Sequence, residues 1–194
     1  MIEVRELFPT CISIDENLML AKALLPLCDK YTSLATSNCL DIENFPSTLH
    51  EKELTTQIMA EPLVQEAFHW IINYPLARLL GHRHIEFPGK HRPFGFFSSM
   101  NKGAYLDKHH HLDCYFSGLL YLDVGDDVPD IIIHDPRPVE KFISYPKSHD
   151  TRTNSGIHVI KPKTGMILIW DSWLEHQTYQ KLNDNPRKTF VFNI

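Results

Sequence analysis

The chain has no surplus of positive charge, no long apolar run and no closely spaced cysteines, and each absence removes a class of function. The formal net charge is -5 with histidine neutral. General nucleic-acid binders and anionic-membrane binders need clustered positive charge, so neither class fits this balance. The apolar runs fall far short of the ~18 residues of a membrane span. The four cysteines, Cys11, Cys28, Cys39 and Cys114, include no C-x-x-C pair, which excludes a zinc ribbon and a thioredoxin-type motif. Scattered thiols fit a reducing compartment. Met1 through Glu6 lacks a basic stretch followed by an apolar one, so no signal peptide is expected and the cytoplasm is the expected location.

What is present suffices for one domain. A chain of 194 residues buries roughly 70% of its unfolded surface and needs neither disulfide nor structural metal to fold. We read residues 1–90 as mostly helical support and 91–194 as a β core of the same domain. Ser13 and Glu16 have the spacing of a capping box. Ile14, Leu18, Ala21, Leu25 and Cys28 then recur at alternating steps of four and three, one face of a helix that Pro26 is expected to kink or shorten. A second helix is predicted from Pro62, with Leu63, Ala67 and Ile71 on one stripe, Pro75 interrupting it and Gly81 ending it.

From Pro93 the texture changes to short β-rich runs bounded by Gly, Pro, Asn and Asp. Strands are predicted over residues 95–99, 104–111, 116–123, 130–134, 157–161, 166–171 and 188–194, with one more near 142–145. Turns are predicted at 125–127, 154–156 and 163–165. Many short strands with such turns imply a sandwich or jelly roll. Residues 135–156 form a long connection, and long loops tend to carry function.

Histidine is the unusual component, with 12 in the chain, and the densest cluster is Lys108-His109-His110-His111-Leu112-Asp113. In a strand His109 and His111 share a face, Asp113 joins them if the strand continues, and His110 points away. His176 comes far downstream, shortly after a predicted strand. A mononuclear non-haem iron takes two imidazoles and a carboxylate on one face and leaves the opposite positions open for a chelating cosubstrate and oxygen. His111, Asp113 and His176 supply that set. Arg187 starts the last β run, with Thr189 on the same side. An Arg fork with a neighbouring hydroxyl suits a carboxylate at the back of a pocket. Phe94, Phe96, Phe97, Trp170 and Trp173 are candidates for excluding water.

These motifs resemble the 2-oxoglutarate/iron(II) oxygenase superfamily, and within it a small bacterial and phage branch. The matching stretches are Leu7-Phe8-Pro9-Thr10, Asn101-Lys102-Gly103, His109-His110-His111, Ser117 through Leu122, Asp135-Pro136-Arg137, Lys161 through Gly165, Ser172 through His176, and Arg187 through Asn193. The resemblance implies a double-stranded β-helix (jelly roll, cupin-like) with N-terminal helices packed on it. It implies iron(II) on the first histidine motif and on His176. It implies that Arg187 with Thr189 holds the distal carboxylate of 2-oxoglutarate, and that Tyr121 hydrogen-bonds the same cosubstrate. The branch reads His-x-His, here His109 and His111; the wider superfamily reads His-x-Asp, here His111 and Asp113. Both registers contain His111 and His176. The expected substrate is a small molecule or a peptide. A cupin-like metalloenzyme holding zinc on His109, His111 and His176 without 2-oxoglutarate is the rival reading, followed by a non-catalytic binding protein of the same fold.

Overall fold

The β-rich sequence after residue 93 builds two antiparallel sheets, and apolar alternation along each strand decides which side faces which neighbour. The structure is a computed structural model that describes residues 3, 9–87, 92–125, 128–137, 146–151 and 153–194. Among these, the elements in chain order are β1 (Ser13–Glu16), α1 (Leu18–Leu34), a single turn at Cys39–Asp41, α2 (Lys52–Ala60), α3 (Pro62–Ile71), a π-turn at Ile72–Leu76 and α4 (Ala77–Arg83). Then follow β2 (Phe94–Met100), β3 (Leu106–His109), β4 (Phe116–Asp123), β5 (Ile131–His134), β6 (Ile157–Ile160), β7 (Met166–Asp171), β8 (His176–Thr178) and β9 (Arg187–Asn193). The larger sheet has the order β1-β7-β4-β9-β2 and the smaller β3-β8-β5-β6. This is the double-stranded β-helix expected from the sequence, mainly β with helices on the outer face of the larger sheet.

Period-two alternation places two cores on the two faces of that sheet. Phe190 and Phe192 of β9, Leu120 and Leu122 of β4, and Ile167 and Ile169 of β7 pack against the buried residues of α1 and α3. Their strand neighbours turn inward: Leu119, Tyr121, Leu168 and Trp170 pack with Ile131 and Ile133 of β5 and Ile160 of β6, between the sheets. Each fully buried large side chain contributes about 1.5–3 kcal/mol. Central strands β4 and β7 are therefore covered on both sides, and β7 is buried at every position.

The helical part departs from expectation at Ser13–Glu16 and at Gly81. Ser13–Glu16 forms no capping box; it is an edge strand pairing with Met166 through Ile169 of β7. The cap of α1 is Asn17, whose side-chain oxygen accepts from the Leu20 N–H at 2.9 Å. Pro26 does not shorten α1, which runs on to Leu34. Pro26 and Lys22, whose carbonyl loses its helical donor there, are both exposed, so water can meet the orphaned oxygen. Gly81 lies inside α4, and the stop is His84 in the left-handed region at φ 52°. Pro75 is absorbed by the π-turn. No helix among the described residues is long and apolar enough to cross a membrane. The strand expected near 142–145 and residues 126–127 of one expected turn lie outside the described residues.

Gly118 marks a close approach in the centre of the larger sheet. A Cβ there would lie 2.5 Å from the Leu168 carbonyl oxygen and 2.5 Å from the Phe192 ring. The backbone atom cannot swing aside, so Gly118→Ala is expected to cost about 1–3 kcal/mol. For a chain of this size that corresponds to a fall in Tm of roughly 2–4 °C per kcal/mol. A melt at wild-type temperature would show that the strands can part more easily than this packing allows.

Candidate metal centre and cosubstrate pocket

The three histidines of the expected His-x-His register meet between the sheets. One nitrogen each from His109, His111 and His176 lies within 4.8 Å of the other two. Strand pairing brings them together: His109 at the end of β3 is the cross-strand partner of His176 on β8. The chain then leaves regular β geometry, but the His111 N–H still donates to the Ser172 carbonyl at 2.9 Å, which keeps His111 turned inward. His110 is exposed, as strand alternation predicts. Asp113 is exposed in a bend with φ 58° and is not part of the three-nitrogen cluster. The bend interrupts the alternation that would have carried it to the same face.

Each imidazole has its Nδ1 engaged away from the cluster. His109 Nδ1 donates to the Asp107 carbonyl at 2.7 Å and His176 Nδ1 to the Leu174 carbonyl at 3.0 Å. His111 Nδ1 lies 2.6 Å from Asn193 Oδ1. With the proton on Nδ1, the Nε2 lone pair is free for a metal, and the outer partner fixes the ring's orientation. Nearby carboxylates are committed elsewhere: Asp171 takes both oxygens to Arg83 Nη1 at 2.8 and 3.0 Å, and Glu175 pairs with Lys108 at 3.0 Å.

Burial pushes all three imidazoles below the ordinary histidine value, His176 down to about 3, with repulsion from neighbouring imidazoles adding to the shift. The cluster is thus neutral and ready for a cation at neutral pH. The linkage has a definite sign. Below about pH 6.5 the unfolded chain protonates these rings while the folded protein does not, so metal-free stability falls with pH. For His176 the loss runs from about pH 6.5 down to about 3, at about 1.4 kcal/mol per pH unit. Urea unfolding at pH 7.5 and pH 5.5 checks this: the apoprotein should lose more than one such increment, and a flat profile would contradict the buried neutral cluster.

Beside the triad, three buried polar atoms have no protein partner among the described residues: Tyr121 Oη, Trp170 Nε1 and Arg187 Nε. Tyr121 and Trp170 belong to the core between the sheets, and Arg187 of β9 reaches the Tyr121 ring there. Trp170 stands edge-on to His176 with ring centroids 4.7 Å apart, and the Arg187 guanidinium lies 5.8 Å over the Tyr121 ring. Arg187 Nη1 donates to Thr178 Oγ1 at 3.3 Å, two residues beyond His176 on the same face of β8. Arg187 is only 3% exposed, and no ion pair to a described carboxylate is formed. Thr189 is buried beside it and shares a 2.8 Å hydrogen bond with Ser98. Burial holds the Tyr121 phenol up at about 12, so it stays an O–H donor. Unmet buried polar groups cost roughly 1–3 kcal/mol each, a cost that a polar ligand reaching them would relieve. Of the aromatics proposed to exclude water, Trp170 abuts the triad, Phe97 packs on the helix side and Trp173 is exposed.

Sequence reasoning missed Asn193, Thr178 and the serine pair Ser117 and Ser172. A signal existed for Asn193: the inward alternation from Arg187 to Thr189 continues through residue 191 to Asn193. Thr178 follows from His176 by the same rule.

The family described as "Putative 2OG-Fe(II) oxygenase" matches residues 96–193, which include the three histidines, Tyr121, Arg187 and Thr189. The chain belongs to this family, an enzyme class that works with iron(II) and 2-oxoglutarate. Among solved structures, EvdO2 from Micromonospora carbonacea var. aurantiaca, complexed with 2-oxoglutarate, aligns at TM-score 0.58 and 12% identity, over 94% of this chain and 85% of that one. A Pseudomonas putida prolyl-4-hydroxylase aligns at TM-score 0.55 and 14% identity, over 95% and 87%. These likenesses establish the shared fold. Against a Burkholderia pseudomallei oxidoreductase of the 2OG-Fe(II) oxygenase family, the match covers 68% of this chain and 57% of that one, at 15% identity and TM-score 0.46. A sequence search among curated proteins finds no match.

Proposed function

We propose that His109, His111 and His176 hold the iron(II), that Arg187 with Thr189 and Tyr121 binds the distal end of 2-oxoglutarate, and that the enzyme hydroxylates a small molecule or a peptide side chain. The observation that carries this reading is a neutral three-nitrogen cluster linked, through Thr178 two residues beyond His176, to a buried Arg187 with no ion pair to a described carboxylate. When bound, iron(II) and 2-oxoglutarate supply oxidative decarboxylation coupled to insertion of oxygen into a C–H bond; the protein supplies position, electrostatics and dryness.

Each residue has a distinct task in this scheme. The three imidazoles would hold the metal and would leave further positions for a chelating cosubstrate and oxygen. Arg187 gives a carboxylate two parallel charge-assisted hydrogen bonds, and the Tyr121 hydroxyl adds a neutral donor. Trp170 shields His176 from water. A carboxylate ligand would offset the charge of iron(II); three neutral imidazoles leave that to an anionic chelator such as a 2-oxo acid. A zinc enzyme that makes no use of 2-oxoglutarate, the rival reading, leaves Arg187 and Tyr121 without a purpose.

The test is anaerobic addition of iron(II) and 2-oxoglutarate to the metal-free protein. A visible charge-transfer band from the chelated keto acid is expected, followed by succinate formation on admitting oxygen. Well-folded protein that gives neither, and instead binds zinc tightly, would sink this reading.

A further inference from the structure

The three histidines do not obtain their tautomers in the same way. His109 and His176 each donate Nδ1–H to a backbone carbonyl two residues upstream, Asp107 and Leu174. A carbonyl is only an acceptor, so the strand itself decides where those protons sit. His111 relies on a side chain 82 residues away, Asn193 at the end of β9. A carboxamide can present either its oxygen or its NH2. Reversed, Asn193 would donate to His111 Nδ1, and the ring proton would move to Nε2, inside the donor cluster, where it blocks metal binding.

Two buried serines bear on that choice. Ser117 Oγ donates to Asn193 Oδ1 at 2.8 Å, so two donors converge on one oxygen. Ser117 Oγ is 2.8 Å from Ser172 Oγ, and the Cys114 thiol donates to Ser172 Oγ at 3.1 Å. Both serines are essentially fully buried. With the amide oxygen turned toward His111, the hydroxyls form a chain, Cys114 to Ser172 to Ser117 to Asn193, that ends on that oxygen. Each donation polarises the next, and the low dielectric strengthens the chain.

We infer that Asn193 is a positioning residue of the metal centre: oriented by Ser117 and Ser172, it locks His111 in the Nδ1–H tautomer with Nε2 facing His109 and His176. Only the consequence for metal binding rests on the three-imidazole reading above; the tautomer itself is a property of the metal-free protein.

The experiment has two arms. In the first, long-range 1H–15N correlation on metal-free, 15N-histidine-labelled protein at neutral pH reports the tautomer of His111, assigned by its disappearance in His111→Gln. The Nδ1–H form is expected, and an Nε2–H majority overturns the inference without any variant having to fold. In the second, cobalt(II) affinity is measured by competition with a chromophoric chelator for wild type, Asn193→Ala and Asn193→Asp. Asn193→Ala should lose roughly 10–100-fold, the range for outer partners of metal-bound histidines. Asn193→Asp keeps an acceptor that, as the carboxylate, has no proton to donate, so it should retain wild-type affinity or exceed it. Equal affinity in all three, or equal losses in both variants, overturns the inference. Failure of wild-type protein to bind cobalt(II) would instead strike at the metal reading, and the first arm would still decide the tautomer.

Discussion

His176→Ala is expected to abolish the anaerobic iron(II)–2-oxoglutarate band and to lower cobalt(II) affinity beyond the roughly 100-fold expected for loss of an outer partner. The reason is geometric. His109 and His111 come from one short segment, and only His176 arrives from another strand to close the cluster. Without it two imidazoles remain, one donor short of the three that would hold the metal. His176 is nearly fully buried against Trp170, so its truncation also opens a small cavity. A melt at neutral pH separates the two effects: the variant should stay folded while failing to bind metal. It should also lose part of the acid sensitivity of the apoprotein, because the ring whose titration is held down to about 3 is gone. A band of wild-type intensity in folded His176→Ala would remove this residue from the centre.

Arg187→Met should weaken 2-oxoglutarate binding at least about 100-fold, near 2.7 kcal/mol, and should leave the metal-free protein as stable as wild type or more so. Both halves follow from one observation: Arg187 is a buried cation with no ion pair to a described carboxylate. Burial works against its charge. An uncompensated buried charge is a standing cost, and a hydrophobic side chain of similar length is often neutral or stabilising in its place. With cosubstrate bound, the guanidinium regains about 1.5–3 kcal/mol per charge-assisted hydrogen bond. Titrating 2-oxoglutarate into the iron(II) protein gives the affinity, and urea unfolding of the apoprotein gives the stability. Unchanged affinity in a folded variant would displace Arg187 as the anchor. A large loss of apo stability would point instead to a structural role. The pattern is a trade of stability for function, common where a site waits for its ligand.

Much of this was legible in the chain because the relevant rules are local. Strand alternation separates His110 from its two neighbours and sets Arg187 beside Thr189 on one face, and both placements hold. Strand positions from β2 onward, β8 excepted, follow from short β-rich runs between turn residues, and 116–123 and 166–171 match the observed bounds. The capping-box pattern of Ser13 and Glu16 failed because edge pairing with β7 outweighs a local preference. Strand β8 was missed because its three residues are too short to show a period.

What the sequence alone determined is the inventory and the faces: a jelly-roll core, a histidine cluster, a distant histidine, and an Arg on the last strand. Tertiary structure decided how they combine. The bend at Asp113 turns that carboxylate outward, while cross-strand pairing sets His109 against His176, so the cluster is three imidazoles. Asn193 reaches His111 across 82 residues because β4 pairs with both β7 and β9, bringing Ser117, Ser172 and Asn193 to one end of the sheet. Local periodicity says which side a residue faces; only the closing of one strand on another says what it meets there.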